Sequence, residues 1–197
     1  IQLIINRGYE IPEFIDESWC VIASSYSGGT EETISGYQFA KEKTKKIVAV
    51  TSGGELEELA NQDGFPIVKI PAGLMPRCAI GYSFFTMLLQ LMRLSAFKGD
   101  AVSSTEASIS ELLDLLRSRS ELYSSQSVGN SAYLLAQKLY NKIPVIYSAE
   151  SRLDVVNLRW RGQIQENAKQ LAFGAYLPEM NHNEINSWSF PAGVYEN

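Results

Sequence analysis

Histidine occurs once in these 197 residues, at position 182, and cysteine twice, at 20 and 78. A lone histidine without a Cys/His cluster argues against a metal site, so no metal is expected. Each cysteine lies in an apolar context, "WCVIA" and "PRCAIGY", which predicts buried free thiols rather than a disulfide. Positive charge is short as well: 17 Lys and Arg against 22 Asp and Glu leave a net charge of −5. With no basic stripe to neutralise a phosphate backbone, nucleic acid is not an expected partner. The tightest basic group, Lys41, Lys43, Lys45 and Lys46, closes a predicted helix, where cations are favoured. Long apolar runs are missing. "FFTMLLQLMRLSAF" is interrupted by Gln90 and Arg93 and is too short to span a bilayer. No basic segment followed by an apolar one opens the chain, so the expectation is no signal peptide, no membrane partner and a cytoplasmic location. The G-x-x-x-x-G-K-[ST], G-x-S-x-G and G-x-G-x-x-G fingerprints are absent, which removes motif support for P-loop, hydrolase and dinucleotide-binding readings.

What is present is an alternation. "IQLII", "WCVIASS", "KIVAVTS" and "PIVKIPA" read as strands, and "TEETISGYQFAKEKT" and "GELEELANQDG" between them read as helices. Strands apolar on both faces and separated by helices predict a parallel sheet covered on both sides. Such sheets bind ligands at the carboxyl ends of their strands, where "SSYSGGT" and "TSGGE" fall. Pro76 opens a long predicted helix, "FKGDAVSST" reads as a linker, and a helix comes next with Ile109, Leu112, Leu113 and Leu116 on one stripe. "GNSAYLLAQKLYNK" predicts a helix burying Leu134, Leu135 and Leu139. "IPVIYS" predicts a buried strand, and "RLDVVNLRWRGQIQENAKQLA" a second long helix. A βα unit thus restarts near residue 143, and the length suits one large or two modest domains.

Four features carry candidate chemistry. In "SSYSGGTEET", Ser27 or Thr30 can cap the next helix, and Glu31 and Glu32 suit its first turn. Capping alone does not need Ser25, Ser27 and Thr30 together with Gly28 and Gly29, which would equally wrap an anion against a helix N-terminus. Both readings stay open at this point. Arg77 sits at a helix start, where a cation has no dipole reason to be, and is either solvated or aimed at the strand ends. Projected at about 100° per residue, Glu166 lies roughly 140° from the stripe Leu153, Val156, Trp160, Ile164, Ala168 and Leu171, as a surface glutamate would. It shares its outward face with Arg159 and Gly162, and a mid-helix glycine costs about 1 kcal/mol against alanine. Approach of a ligand or another subunit would explain that glycine. His182 lies in the polar loop "PEMNHNEIN", solvated or suited by its pKa to proton transfer.

"SYSGGTEET" resembles the phosphosugar-binding turn of sugar isomerase (SIS) domains. "PRCAIGYSF", "LRWRGQIQENAK" and "PEMNHNE", in that order, resemble the bifunctional phosphoglucose/phosphomannose isomerases, which carry two SIS domains in one chain. The resemblance implies an α/β, three-layer αβα fold, a parallel sheet flanked by helices. Its two SIS-like domains would occupy residues 1–100 and 101–197, both expected to be incomplete here. Ser25, Ser27 and Thr30 would hold the substrate phosphate. Glu166 would move a proton between C1 and C2 of the open-chain sugar, His182 would assist ring opening from the partner subunit of a homodimer, and Arg77 would face the enediolate. No cofactor is implied. The partner is a small sugar phosphate, with glucose 6-phosphate and fructose 6-phosphate interconverted and mannose 6-phosphate a candidate further substrate.

Family members extend further at both ends. They carry an upstream glycine- and serine-containing loop and a catalytic lysine near the C-terminus, and asparagine is common where Gly29 stands. The chain, starting at Ile1 and closing on "SFPAGVYEN", is therefore expected to be a fragment. The alternative reading is a non-catalytic SIS module that binds a phosphosugar and regulates a partner. The isomerase domain of an amidotransferase is a third, opposed by "QENAK" and "NHNE".

Overall fold

The structure is a computed structural model that describes residues 2–94, 99–124 and 129–188. The closing run "SFPAGVYEN" and the first two residues of "FKGDAVSST" lie outside them. Two compact units divide the chain, Ile1–Ile109 and Ser110–Asn197.

In the first unit, β1 (Val21–Ser24), α1 (Glu31–Lys43), β2 (Ile47–Thr51), α2 (Gly54–Asp63) and β3 (Ile67–Lys69) alternate. The strands form one parallel sheet in the order β1-β2-β3, with Ala23 opposite Ala49 and Ala49 opposite Ile67. Small residues at these positions let the helices lie close to the sheet. Ala23, Tyr37, Ala40, Ile47, Ala49, Leu56 and Ala60 form one buried cluster. Tyr37 donates its hydroxyl to Asp63 at 2.7 Å, and Asp63 also pairs with Lys41 at 3.0 Å. Burial and that carboxylate raise the Tyr37 pKa well above the usual phenol value, while the bonds from Tyr37 and Lys41 hold Asp63 below the usual carboxylate range. A 3₁₀ turn at Pro76–Cys78 then leads into α3 (Ile80–Arg93).

The helix α4 (Asp100–Tyr123) runs through the point of division. The second unit continues with α5 (Ser131–Leu139), β4 (Val145–Ala149) and α6 (Asp154–Gln163), a π-helical turn (Ile164–Ala168), and β5 (Phe173–Leu177). A 3₁₀ turn (Glu179–His182) and α7 (Glu184–Ser187) close the described chain. Strands β4 and β5 pair in parallel, Val145 opposite Phe173. Parallel strands flanked by helices make the expected α/β class.

Several local expectations are corrected. Residues 2–5 of "IQLII" form no strand and are exposed, because no described strand pairs with them. Residues 100–105 of the expected linker are the first turns of α4. Cys20 and Cys78 are free, as expected, but exposed. Leu134 and Leu135 are exposed on α5, as are Leu113 and Leu116 on α4, since no described element packs over those stripes. Strand β4, expected to be buried, leaves Val145 and Tyr147 each 37% exposed; among the described residues β5 is its one neighbouring strand. The long helix expected from Arg152 begins at Asp154 and ends at Lys169, which takes a left-handed φ of 55°. Its buried face is set by Asn157, whose amide donates to the Ile146 and Ala175 carbonyls at 2.8 and 3.3 Å. Leu153, Val156 and Trp160 point outward.

Candidate active site

The first unit builds its candidate site where β1, β2 and β3 end. Ser25 extends the β1–β2 pairing through its N–H to the Val50 carbonyl at 3.0 Å, and its side chain turns inward and is buried. The Ser25 hydroxyl accepts the Gly28 N–H at 3.1 Å and shares a bond of 2.8 Å with the Thr30 hydroxyl. The Ser27 hydroxyl accepts the Gly29 N–H at 3.3 Å. Thr30 is the N-cap of α1, yet no side chain makes the capping bond, so Ser27 and Thr30 are not spent on capping. The first-turn N–H groups of α1 are left for water or an anion, beside the exposed Ser27, Gly29 and Thr30. Glu31, the first acid of that helix, accepts the Tyr9 hydroxyl at 3.2 Å.

This turn is interlocked with the one after β2. Gly28 has φ 73° and Gly54 φ 72°, a region that glycine alone enters freely. A Cβ on Gly28 would stand 1.7 Å from the Gly53 carbonyl oxygen, and one on Gly54 2.4 Å from that of Ser27. The Gly28 carbonyl accepts the Leu56 N–H of α2 at 2.8 Å. Ser52 donates both its N–H and its hydroxyl to the Tyr26 carbonyl, at 3.0 and 2.6 Å. Thr51, fully buried, donates to the Gly53 carbonyl at 2.7 Å.

A third segment joins them through Tyr26. Its hydroxyl accepts the Leu74 N–H at 2.8 Å and donates to the Pro71 carbonyl at 3.1 Å. Three residues beyond Leu74 comes Arg77, half-buried in its 3₁₀ turn. Ser25, Ser27 and Thr30 are therefore brought into one turn, and the segment carrying Arg77 is tied to that turn within the same unit. Tyr26, Thr51 and Ser52 brace this candidate site, and sequence reasoning does not single them out. Their only signal in the sequence is their position at strand ends, since the bonds made by Tyr26 span 26 to 48 residues of chain.

Glu166 and His182 belong to the second unit. Glu166 is exposed in the π-helical turn that ends α6, a geometry frequent at functional sites. Gln165 anchors this turn by donating to the Ala172 carbonyl at 3.0 Å. Gly162 sits just before it, and a Cβ there would meet nothing within 4 Å among the described residues, so packing among them does not explain the glycine. His182 closes the 3₁₀ turn after β5 and is exposed. Its neighbour Asn183 accepts the Glu184 N–H at 2.6 Å and donates to Glu179 at 3.0 Å, and Tyr147 of β4 donates to Glu184 at 2.5 Å.

The helix of a βαβ unit runs back against its strands. The turn holding Glu166 therefore lies at the amino end of β5, and the turn holding His182 at its carboxyl end. Five residues of strand separate the two ends, about 15 Å. The two residues are not brought together within this unit. An open cavity of about 750 Å³ lies between α5 and α6, lined by Leu135, Leu139, Ile143, Trp160 and Ile164. A second, of about 310 Å³, lies among Glu150, Tyr176, Glu179 and Asn183. Glu166 lines neither.

Residues 129–196 match the model of the bacterial phospho-glucose isomerase C-terminal SIS domain. The parallel strands flanked by helices are consistent with a partial SIS-type fold. It is 43% identical over 187 residues to a bifunctional phosphoglucose/phosphomannose isomerase of Caldicellulosiruptor bescii, covering 94% of the chain and 54% of that protein. A protein of the same description from Aquifex aeolicus is 34% identical over 187 residues, 95% of the chain and 53% of the relative. A D-glucosamine-6-phosphate 4-epimerase of Sulfolobus acidocaldarius is 32% identical over 194 residues, 98% of the chain and 58% of the relative. The chain is thus similar, along most of its length, to bifunctional phosphoglucose/phosphomannose isomerases, and it spans about half the length of the curated relatives it matches.

Proposed function

We propose that the gene product containing these residues is an aldose–ketose isomerase. It interconverts glucose 6-phosphate and fructose 6-phosphate, with mannose 6-phosphate as a further substrate. The observation that carries the reading is the 43% identity, over 94% of the chain, to a protein of that description. The hydroxyl- and glycine-lined turn at the strand ends supports it, because such a turn suits a terminal phosphate.

In this reading residues 1–100 and 101–197 are parts of two SIS domains. The Ser27 and Thr30 hydroxyls and the N–H groups opening α1 receive the phosphate, and Ser25 holds Thr30 and the Gly28 N–H in place. Glu166 removes the C2 proton of the aldose and returns it to C1, so one carboxylate serves as base and then acid. Arg77 supplies positive charge where the enediolate oxygen develops. His182 moves the proton needed to open the ring. The placement of Glu166 and His182 at opposite ends of β5 supports a homodimer in which each site takes its histidine from the other copy. The substrate class places the enzyme in glycolysis or gluconeogenesis, and with it in the cytoplasm.

A coupled assay of the intact gene product tests this. Glu166→Gln is expected to lower turnover by about 10²–10⁴-fold, the usual contribution of a general base. Near-normal turnover would remove Glu166 as the base. Binding of fructose 6-phosphate without isomerisation by the unaltered protein would favour the non-catalytic sugar-phosphate sensor instead.

A further inference from the structure

We propose that Tyr26 is a positioning residue that sets the place of Arg77, so that it governs turnover more than substrate affinity. This rests on the isomerase reading and on the role of Arg77 in it. Tyr26 lies between the two serines of the phosphate turn but contributes nothing to the turn's internal bonds. Those are made by Ser25, Ser27, Gly28, Gly29 and Thr30. It works at the junctions instead. Its backbone carbonyl takes two bonds from Ser52 and fixes the turn after β1 to the turn after β2. Its hydroxyl takes the Leu74 N–H and gives its proton to the Pro71 carbonyl. The segment thus gripped is short, begins at the end of β3 and delivers Arg77 three residues later.

The two attachments separate cleanly by chemistry. Tyr26→Phe keeps the backbone carbonyl, and with it the Ser52 bonds and the shape of the phosphate turn. It removes only the hydroxyl, and so both bonds to residues 71–74. The ring is only half-buried, so the loss does not strand a polar group in the core. A guanidinium displaced by about 1 Å from a developing charge loses much of its worth in the transition state. Phosphate binding, which dominates affinity for a sugar phosphate, keeps its contacts.

In the intact gene product, Tyr26→Phe is expected to lower kcat for fructose 6-phosphate about tenfold while KM changes less than twofold. In an Arg77→Ala background the same substitution is expected to have no further effect on kcat, because a residue acting through another adds nothing once that other is gone. Independently of activity, amide exchange at Leu74 is expected to quicken at least tenfold in Tyr26→Phe, while exchange at Gly28 and Leu56 is unchanged. A kcat within twofold of the parent, additive losses in the double variant, or an unaltered Leu74 exchange rate each overturns the proposal. If the parent isomerises and Glu166→Gln is inactive while Tyr26→Phe is normal, this inference alone fails. If the parent does not isomerise, the reading beneath it fails, and the exchange rates still decide whether Tyr26 holds the Arg77 segment.

Discussion

The two units use the same βα grammar and reach different degrees of closure. In the first, β2 has a strand on each side, and Ile47, Ala49, Val50 and Thr51 are almost wholly removed from water. In the second, β4 has one strand beside it among the described residues, none of its residues is fully buried, and Val155, Val156, Trp160 and Leu171 are exposed on or after α6. An apolar pattern says that a face is able to be buried; it does not say by what. A central strand between two others, with helices packed on the sheet, answers that question inside the first unit. Nothing among the described residues answers it for the outer faces of α5 and α6.

The comparison can be broken by truncating each core. Leu56→Ala removes a fully buried side chain between α2 and the sheet and is expected to cost about 3–4 kcal/mol in a denaturant titration of this chain. Leu135→Ala, on the exposed face of α5, is expected to cost less than about 1 kcal/mol in the same measurement. Equal costs would mean that the two units do not differ in the way their exposures indicate.

The alkaline limb sharpens it further. Tyr37 has a raised pKa in the folded state, so its contribution is complete below the ordinary phenol value near 10. It is lost as pH rises from there toward the folded pKa. Unfolding free energies measured upward from pH 9 should therefore fall more steeply in the parent than in Tyr37→Phe, with the difference confined to the first unit. Parallel curves would show that the Tyr37–Asp63 bond is not maintained.

The smallest effect is expected in the second unit. Gly162→Ala meets open space and should raise helix stability by about 0.5–1 kcal/mol, since alanine is the better helix former. If that face receives substrate or another subunit, the more stable variant will turn over more slowly. A gain in stability without loss of activity would leave the glycine unexplained.

The strands β1, β2 and β3 and the helices between them are legible in the sequence because apolar runs, acidic first turns and glycine breaks all point the same way. Residues 2–5 of "IQLII" are equally apolar but pair with no strand among the described residues, which a local pattern does not reveal. The α6 stripe misleads for two physical reasons. Asn157 satisfies strand carbonyls from the helix and takes an inward position that hydropathy reserves for leucine. The π-helical turn then breaks the 100° spacing that the projection assumes. For the candidate site, hydroxyls beside glycines make the phosphate turn visible. The braces at Tyr26, Ser52 and Leu74 are invisible because they join segments far apart in sequence.

That π-helical turn has a further meaning for how the carboxylate of Glu166 is aimed. An α-helix with one residue too many must widen somewhere, and here it widens around the glutamate itself. Removing Ile164 or Gln165, which precede the glutamate in that turn, would let the segment relax to regular α-helix and rotate Glu166 by about 100°. The direction of this side chain is thus a matter of chain length rather than of composition. A deletion that changes no charged group would turn it away as surely as a substitution would erase it.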